Sequence, residues 1–104
     1  MAFNTEVPTS YEAVEFGVRF SGRLPKSALE QYDIYAALLA YWDSKTPATW
    51  AVVKSYVFAN SKFVEDSSDI ELRADELNFQ QVKFAIEKWL NMASEFFTSP
   101  QKKK

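Results

Sequence analysis

In the stretch AVEFGVRFS at residues 13–21, every second residue from Val14 onward is a large apolar one. Val14, Phe16, Val18 and Phe20 alternate with Glu15, Gly17, Arg19 and Ser21. Because successive side chains of a β-strand point to opposite faces, this period of two predicts one strand with a buried face and a wet face. Gly22 and Pro25 follow the stretch and are expected to end the strand.

Downstream of this strand, the spacing of apolar residues predicts a helix from Ala28 to Trp42. Ser27 and Glu30 have the spacing of a capping box at its start. One apolar stripe at helical spacing consists of Leu29, Tyr32, Tyr35, Ala36, Leu39 and Trp42. Three further apolar residues, Ile34, Leu38 and Tyr41, lie outside that stripe. We therefore expect a central helix that is covered on two sides.

Two more helices are predicted in the second half of the chain. Thr46 is a good N-cap and Pro47 suits the first helical position, so one helix should run from 47 to 59. The other begins at a capping box, Asn78–Gln81, and continues with apolar residues at helical spacing as far as Phe97. Between them, residues 70–74 are compatible either with a second short strand or with the opening turn of the last helix.

These elements predict an α+β fold that is mostly helical, with an N-terminal strand or hairpin packed on about three helices. The chain of 104 residues is long enough for one domain. We expect a flexible N-terminal arm at 1–11, a single globular domain at 12–99 and a basic C-terminal tail at 100–104.

Charge and hydropathy exclude several classes of partner. The formal net charge is −2, which gives no general attraction to nucleic acid or to an anionic membrane. No apolar run approaches the length of a membrane span, and residues 1–6 lack the pattern of a signal peptide. The expected partner is therefore a protein, with no nucleic acid and no membrane, and the expected compartment is the cytoplasm.

The composition also limits the chemistry that the chain can perform. It contains no histidine and no cysteine, which are the commonest general base, thiol nucleophile and transition-metal ligands. Phosphate-binding loops and nucleophile elbows are missing as well. We therefore expect no catalytic residues, no cofactor and no metal site.

The last helix carries the first candidate binding surface. Phe84 lies about 140° around the helix from Phe79, on the polar side, and Lys88 and Met92 continue that side. Aromatic and Met side chains are enriched in interfaces, so these three residues are predicted to bind a partner. The alternative is that the helix is buried more deeply, with Phe84 packed under the N-terminal strand.

The N-terminal strand is the second candidate. A sheet of one clear and one doubtful strand is not stable alone in water. The strand therefore needs either a helix packed beneath it or a third strand, and that third strand could come from a second copy of the chain or from a partner. The predicted binding residues are Val14, Phe16, Val18 and Phe20, unless the face that they share is the core face.

Together these features favour a non-catalytic protein–protein interaction or assembly protein that associates with itself or with a partner. The size, the acidic character and the order of elements also suit a bacteriophage or prophage accessory protein, such as a tail-assembly chaperone or an inhibitor of a host protein. An alternative from another class is a small-molecule binder or enzyme built from carboxylates and tyrosines, with Tyr32, Asp33, Tyr35 and Tyr41 around a pocket. A pocket with a buried carboxylate would favour that class, and a flat apolar patch would favour interaction.

Overall fold

A computed structural model describes residues 8–98 of the chain. The strands are β1 (Ser10–Glu15), β2 (Val18–Arg23), β3 (Ser61–Glu65) and β4 (Glu71–Leu72), and the helices are α1 (Ala28–Asp43), α2 (Pro47–Ala59) and α3 (Phe79–Thr98). A 3-10 turn, Ala74–Glu76, precedes α3. The fold is α+β and mostly helical, with an N-terminal hairpin on three helices, as predicted. The predicted tail and residues 1–7 of the predicted arm lie outside the described residues, whereas Ser10 and Tyr11 of that arm belong to β1.

The four strands form one antiparallel sheet in the order β1-β2-β3-β4. The prediction of a single strand through residues 13–21 is wrong, because the chain reverses at Phe16 and Gly17. These two residues have φ values of 53° and 75°. Left-handed backbone at both central positions is typical of the type I′ turn, whose twist matches that of two paired strands. The result is a tight hairpin in which Glu15 lies opposite Val18.

The third strand of the sheet comes from the chain itself and not from a second copy or a partner. The other alternative, a helix beneath the N-terminal strands, is also present, because α3 packs against β1 and β2. β3 follows α2 almost immediately and pairs with β2, placing Phe63 opposite Phe20. β4 adds two residues on the far side of β3. Of the two alternatives for residues 70–74, the short strand is the correct one, and the 3-10 turn separates it from α3.

Side-chain caps explain why the predicted helices begin where they do. The Ser27 hydroxyl accepts the backbone N–H of Glu30, and Thr46 and Thr49 cap each other's backbone at the start of α2. Before α3, the side chains of Asn78 and Gln81 each accept the other's backbone N–H at 2.9 Å. Each cap satisfies N–H groups that the first turn of a helix leaves without partners.

The core consists of two clusters that meet along α3. Buried residues of the helical cluster are Leu24, Ile34, Leu38, Val53, Val57, Trp89, Met92 and Ala93. Those of the sheet cluster are Val18, Phe20, Phe63 and Ala85. The Trp89 indole N–H donates to the carbonyl of Arg23 at 3.1 Å and so ties α3 to the end of β2. Among residues 8–98, no helix has the length and apolar character required to cross a membrane.

Candidate functional site

The structure separates the four predicted strand residues: Val18 and Phe20 lie on the core face of β2, Val14 lies on the opposite face of the sheet, and Phe16 lies in the hairpin turn. Val18 and Phe20 are buried in the core, whereas Val14 is 58% exposed and Phe16 is 47% exposed. The prediction that all four share one partner-binding face is therefore wrong. A two-residue turn places Val14 opposite Arg19, and this pairing moves Val14 to the face away from Val18.

The three residues predicted on the last helix also separate. Met92 is only 6% exposed and belongs to the helical core, so it is not available to a partner. Phe84 is half-buried, with its ring centroid 4.8 Å from that of Phe20. The exposed pair of Phe84 and Met92 is thus a wrong prediction, and the alternative of Phe84 packed under the N-terminal strands is the correct one. Lys88 is exposed, and its Nζ lies 5.6 Å from the centre of the Phe84 ring.

Phe16 and Phe84 instead form an aromatic corner at the turn of the hairpin. Their rings meet edge to face with centroids 6.1 Å apart. The Gln81 side-chain amide donates to the carbonyl of Phe16 at 3.0 Å. Because a bulky residue with positive φ is strained, these contacts hold Phe16 in a conformation that it would rarely adopt alone. The corner is explained by the packing of the turn onto α3.

The clearest unpartnered surface lies on α1, on the side away from the core. Leu29 is 79% exposed, Tyr32 69% and Leu39 46%, and Ala36 between them is exposed as well. At about 100° per residue, all four lie within about 40° of the direction opposite Ile34, which is buried. We name these four residues the α1 outer face. They form one line about 15 Å long.

The expectation of a central α1 covered on two sides is wrong. Its buried residues are Ile34 and Leu38, two of the three that the main apolar stripe left out. Leu29, Tyr32, Ala36 and Leu39 of that stripe face away from the core instead. The expectation arose because α1 has apolar residues around its whole circumference, a pattern that is typical of a helix with neighbours on all sides. Within residues 8–98, α1 has neighbours on one side only.

Aromatic side chains extend the α1 outer face toward the end of α3. The Tyr32 and Tyr35 rings meet edge to face at 6.3 Å, and Tyr35 lies 5.3 Å from Phe97. Phe97 in turn contacts Phe96, with centroids 5.1 Å apart. These half-buried rings therefore form a chain of contacts that links Tyr32 on the α1 outer face to the last turn of α3.

The charged residues of α1 are all acidic, although Lys45 just after the helix lies over the ring of Tyr41, with Nζ 5.9 Å from its centre. The helix carries Glu30, Asp33 and Asp43 and contains no lysine or arginine. All three carboxylates are exposed, and none makes an ion pair with another residue of the 8–98 range.

The residues of the tyrosine–carboxylate alternative do not converge on one pocket. Asp33 is exposed, and Tyr41 packs against Trp50, with centroids 5.7 Å apart. Only Tyr32 and Tyr35 touch each other. No charged or polar residue is buried in the part of the chain that the structure describes.

A shallow pocket of about 560 Å³ lies on the uncovered face of the sheet. Side chains that line it include those of Glu12, Ser21, Arg23, Asn60 and Lys62. The lining carries charges of both signs, and it includes none of the large apolar side chains that are exposed elsewhere on the surface. The α1 outer face is the stronger candidate for a binding surface.

Comparison of the chain with protein-family models, with curated proteins and with solved structures gives no match.

Proposed function

We propose that this protein is a non-catalytic interaction module that binds another protein chain through the α1 outer face. The observation that carries the proposal is the line of Leu29, Tyr32 and Leu39, exposed along one helix and opposite its buried residues. Single apolar residues on a surface are ordinary. Apolar residues aligned over three helical turns are typical of a surface that meets a partner.

Binding at the α1 outer face would remove apolar side chains from water. Covering an apolar side chain stabilises a complex by about 25 cal/mol for each Å² removed from water. Leu29 and Tyr32 retain most of their surface in the free chain, so a partner that covers them removes a large apolar area from water. The loss of freedom on association offsets part of the resulting free energy. Tyr32 adds an aromatic ring with few rotatable bonds, a residue type that is enriched among strong contributors to binding.

The distribution of polar groups supports a non-catalytic role. An acid or base acting near neutral pH usually requires a carboxylate or lysine whose pKa is shifted by burial. Within residues 8–98 no such group is buried, whereas Leu29, Tyr32 and Leu39 are exposed along one side of α1. These two observations favour binding over catalysis. Self-association through the same face is the alternative within this class.

The test is site-specific photo-crosslinking in cells that produce the protein. Tyr32 is replaced by p-benzoylphenylalanine, and the matched control carries the same group at Phe79, which is as exposed as Leu29 but lies on α3. We expect a crosslinked species from position 32 and none from position 79. The species should disappear in Leu29→Ser/Leu39→Ser, whose folding is checked by circular dichroism.

Two results would overturn the proposal. One is equal crosslinking from positions 32 and 79, which would mean that the α1 outer face is not singled out. The other is a species from position 32 that persists in the folded double variant. The mass of the crosslinked species distinguishes a second copy of the chain from a different protein.

A further inference from the structure

We infer that the occupant of the α1 outer face is an amphipathic helix with lysine or arginine residues beside its apolar stripe. This inference rests on the proposed function and specifies the chemistry of the partner. It is carried by the acidic character of α1 together with the spacing of its exposed apolar residues.

The spacing favours a helix as the occupant. Leu29, Tyr32, Ala36 and Leu39 follow one another at intervals of three, four and three residues. This is the spacing of the a and d positions at which two helices interlock side chains along a shared seam. Ala36 lies in the middle of the line and is small, so the backbone of a partner helix can approach closely there.

The charges favour a basic occupant. In the same heptad register, Asp33 takes the e position, which flanks the seam and forms ion pairs between helices. Asp43 lies one turn beyond Leu39, so a carboxylate follows the last apolar residue of the face at the end of α1. Asp33 and Asp43 have no cation on α1 and no ion-pair partner among residues 8–98. A partner with Lys or Arg beside its stripe supplies the missing opposite charges.

A second copy of the chain fits these charges poorly. In a parallel pair of α1 helices, Asp43 would lie beside Asp43 of the other copy. In an antiparallel pair, residues near the middle of the helix meet their own counterparts across the two-fold axis, so Asp33 would lie near Asp33. Either arrangement brings carboxylates together and provides no lysine or arginine on the facing helix to pair with them.

The experiment uses two synthetic helical peptides of three heptads with leucine at a and d. One peptide has lysine at e and g, and the matched peptide has glutamate there. Fluorescence anisotropy measures the binding of each to the full chain, and the methyl resonances of Leu29 and Leu39 locate the site. The protein variants are Asp33→Asn/Asp43→Asn, which changes charge alone, and Leu29→Ser/Leu39→Ser, which removes apolar area alone.

We expect the lysine peptide to bind at least about tenfold more tightly than the glutamate peptide at low salt. Tenfold corresponds to about 1.4 kcal/mol, a free energy that two exposed ion pairs can supply. The preference should fall to about threefold or less in Asp33→Asn/Asp43→Asn and at about 1 M salt, where the Debye length is about 3 Å. Light scattering should give a monomer at micromolar concentration.

The outcomes separate the inference from the proposed function. Equal binding of both peptides that is lost in Leu29→Ser/Leu39→Ser overturns the basic partner but leaves the binding surface in place. A dimer that the same double variant dissociates overturns it in favour of a second copy. If neither peptide binds, or if the double variant binds both peptides as the wild type does, the inference fails and the α1 outer face loses its support as a docking surface.

Discussion

The ring of Tyr11 lies against the bare α-carbon of Gly22, its partner across the β1–β2 pair. A β-carbon added at Gly22 would lie 2.4 Å from Cε1 of that ring. The ring cannot easily withdraw, because it packs against both core clusters and its hydroxyl donates to the carbonyl of Ala85 at 3.4 Å. The close contact therefore requires glycine at this position.

We expect Gly22→Ala to lower the free energy of unfolding by about 1–2 kcal/mol, because the new methyl group overpacks the site. Urea denaturation measures the change. The double variant with Tyr11→Leu should recover most of the loss, since the shorter side chain leaves room for the methyl group. Additive losses in the two single variants would show that Tyr11 and Gly22 are not coupled.

Tyr11 also predicts a pH dependence of stability. Burial disfavours the tyrosinate and raises the pKa of Tyr11 from 10 to about 12 in the folded protein. The folded state therefore holds this proton more tightly than the unfolded state. The stability that this provides is complete below pH 10 and is lost as the pH rises from 10 to about 12. In urea titrations at several pH values, Tyr11→Phe should show a smaller loss over that window than the wild type. Identical pH profiles would contradict the raised pKa.

The effect of replacing Phe16 on the free energy of unfolding should depend on whether Phe84 is present. Asparagine adopts positive φ more readily than phenylalanine, so Phe16→Asn relieves strain of about 1–2 kcal/mol in the turn. In the wild type it also removes the ring contact with Phe84, which opposes that gain. In a Phe84→Leu background this contact is already lost, so Phe16→Asn should be more favourable there by about 0.5–1.5 kcal/mol. The four free energies of unfolding form a double-mutant cycle, and zero coupling would contradict the prediction.

Met92 and Leu29 provide a direct contrast between a core position and the α1 outer face. Met92→Glu places a carboxylate among buried apolar residues and should cost at least about 3 kcal/mol, or unfold the chain. Leu29→Glu, at a position that is largely exposed, should change stability by no more than about 0.5 kcal/mol. Thermal unfolding followed by circular dichroism measures both. A large loss in Leu29→Glu would mean that this residue supports the fold and is not a free contact.

The sequence predicted the helix starts well because capping is a local interaction. Thr46, Pro47 and the Asn78–Gln81 pair act on backbone groups within one turn, so their effect can be predicted without knowing the rest of the fold. The short strand β3 could not be predicted in the same way. Its five residues follow α2 directly, and their strand conformation depends on pairing with β2, which is about 40 residues earlier in the chain.

The candidate site shows the same division between local and distant causes. The sequence by itself determined that α1 has apolar residues around its whole circumference and that its charged residues are all acidic. Only the tertiary structure decided which stripe was buried, because Ile34 and Leu38 meet Val53 and Trp89 while Leu29 and Tyr32 meet no neighbour among the described core residues. Helical periodicity places residues on a face of their own helix, but it contains no information about the side from which other elements pack. The direction of the α1 outer face was therefore fixed by the packing of α2 and α3.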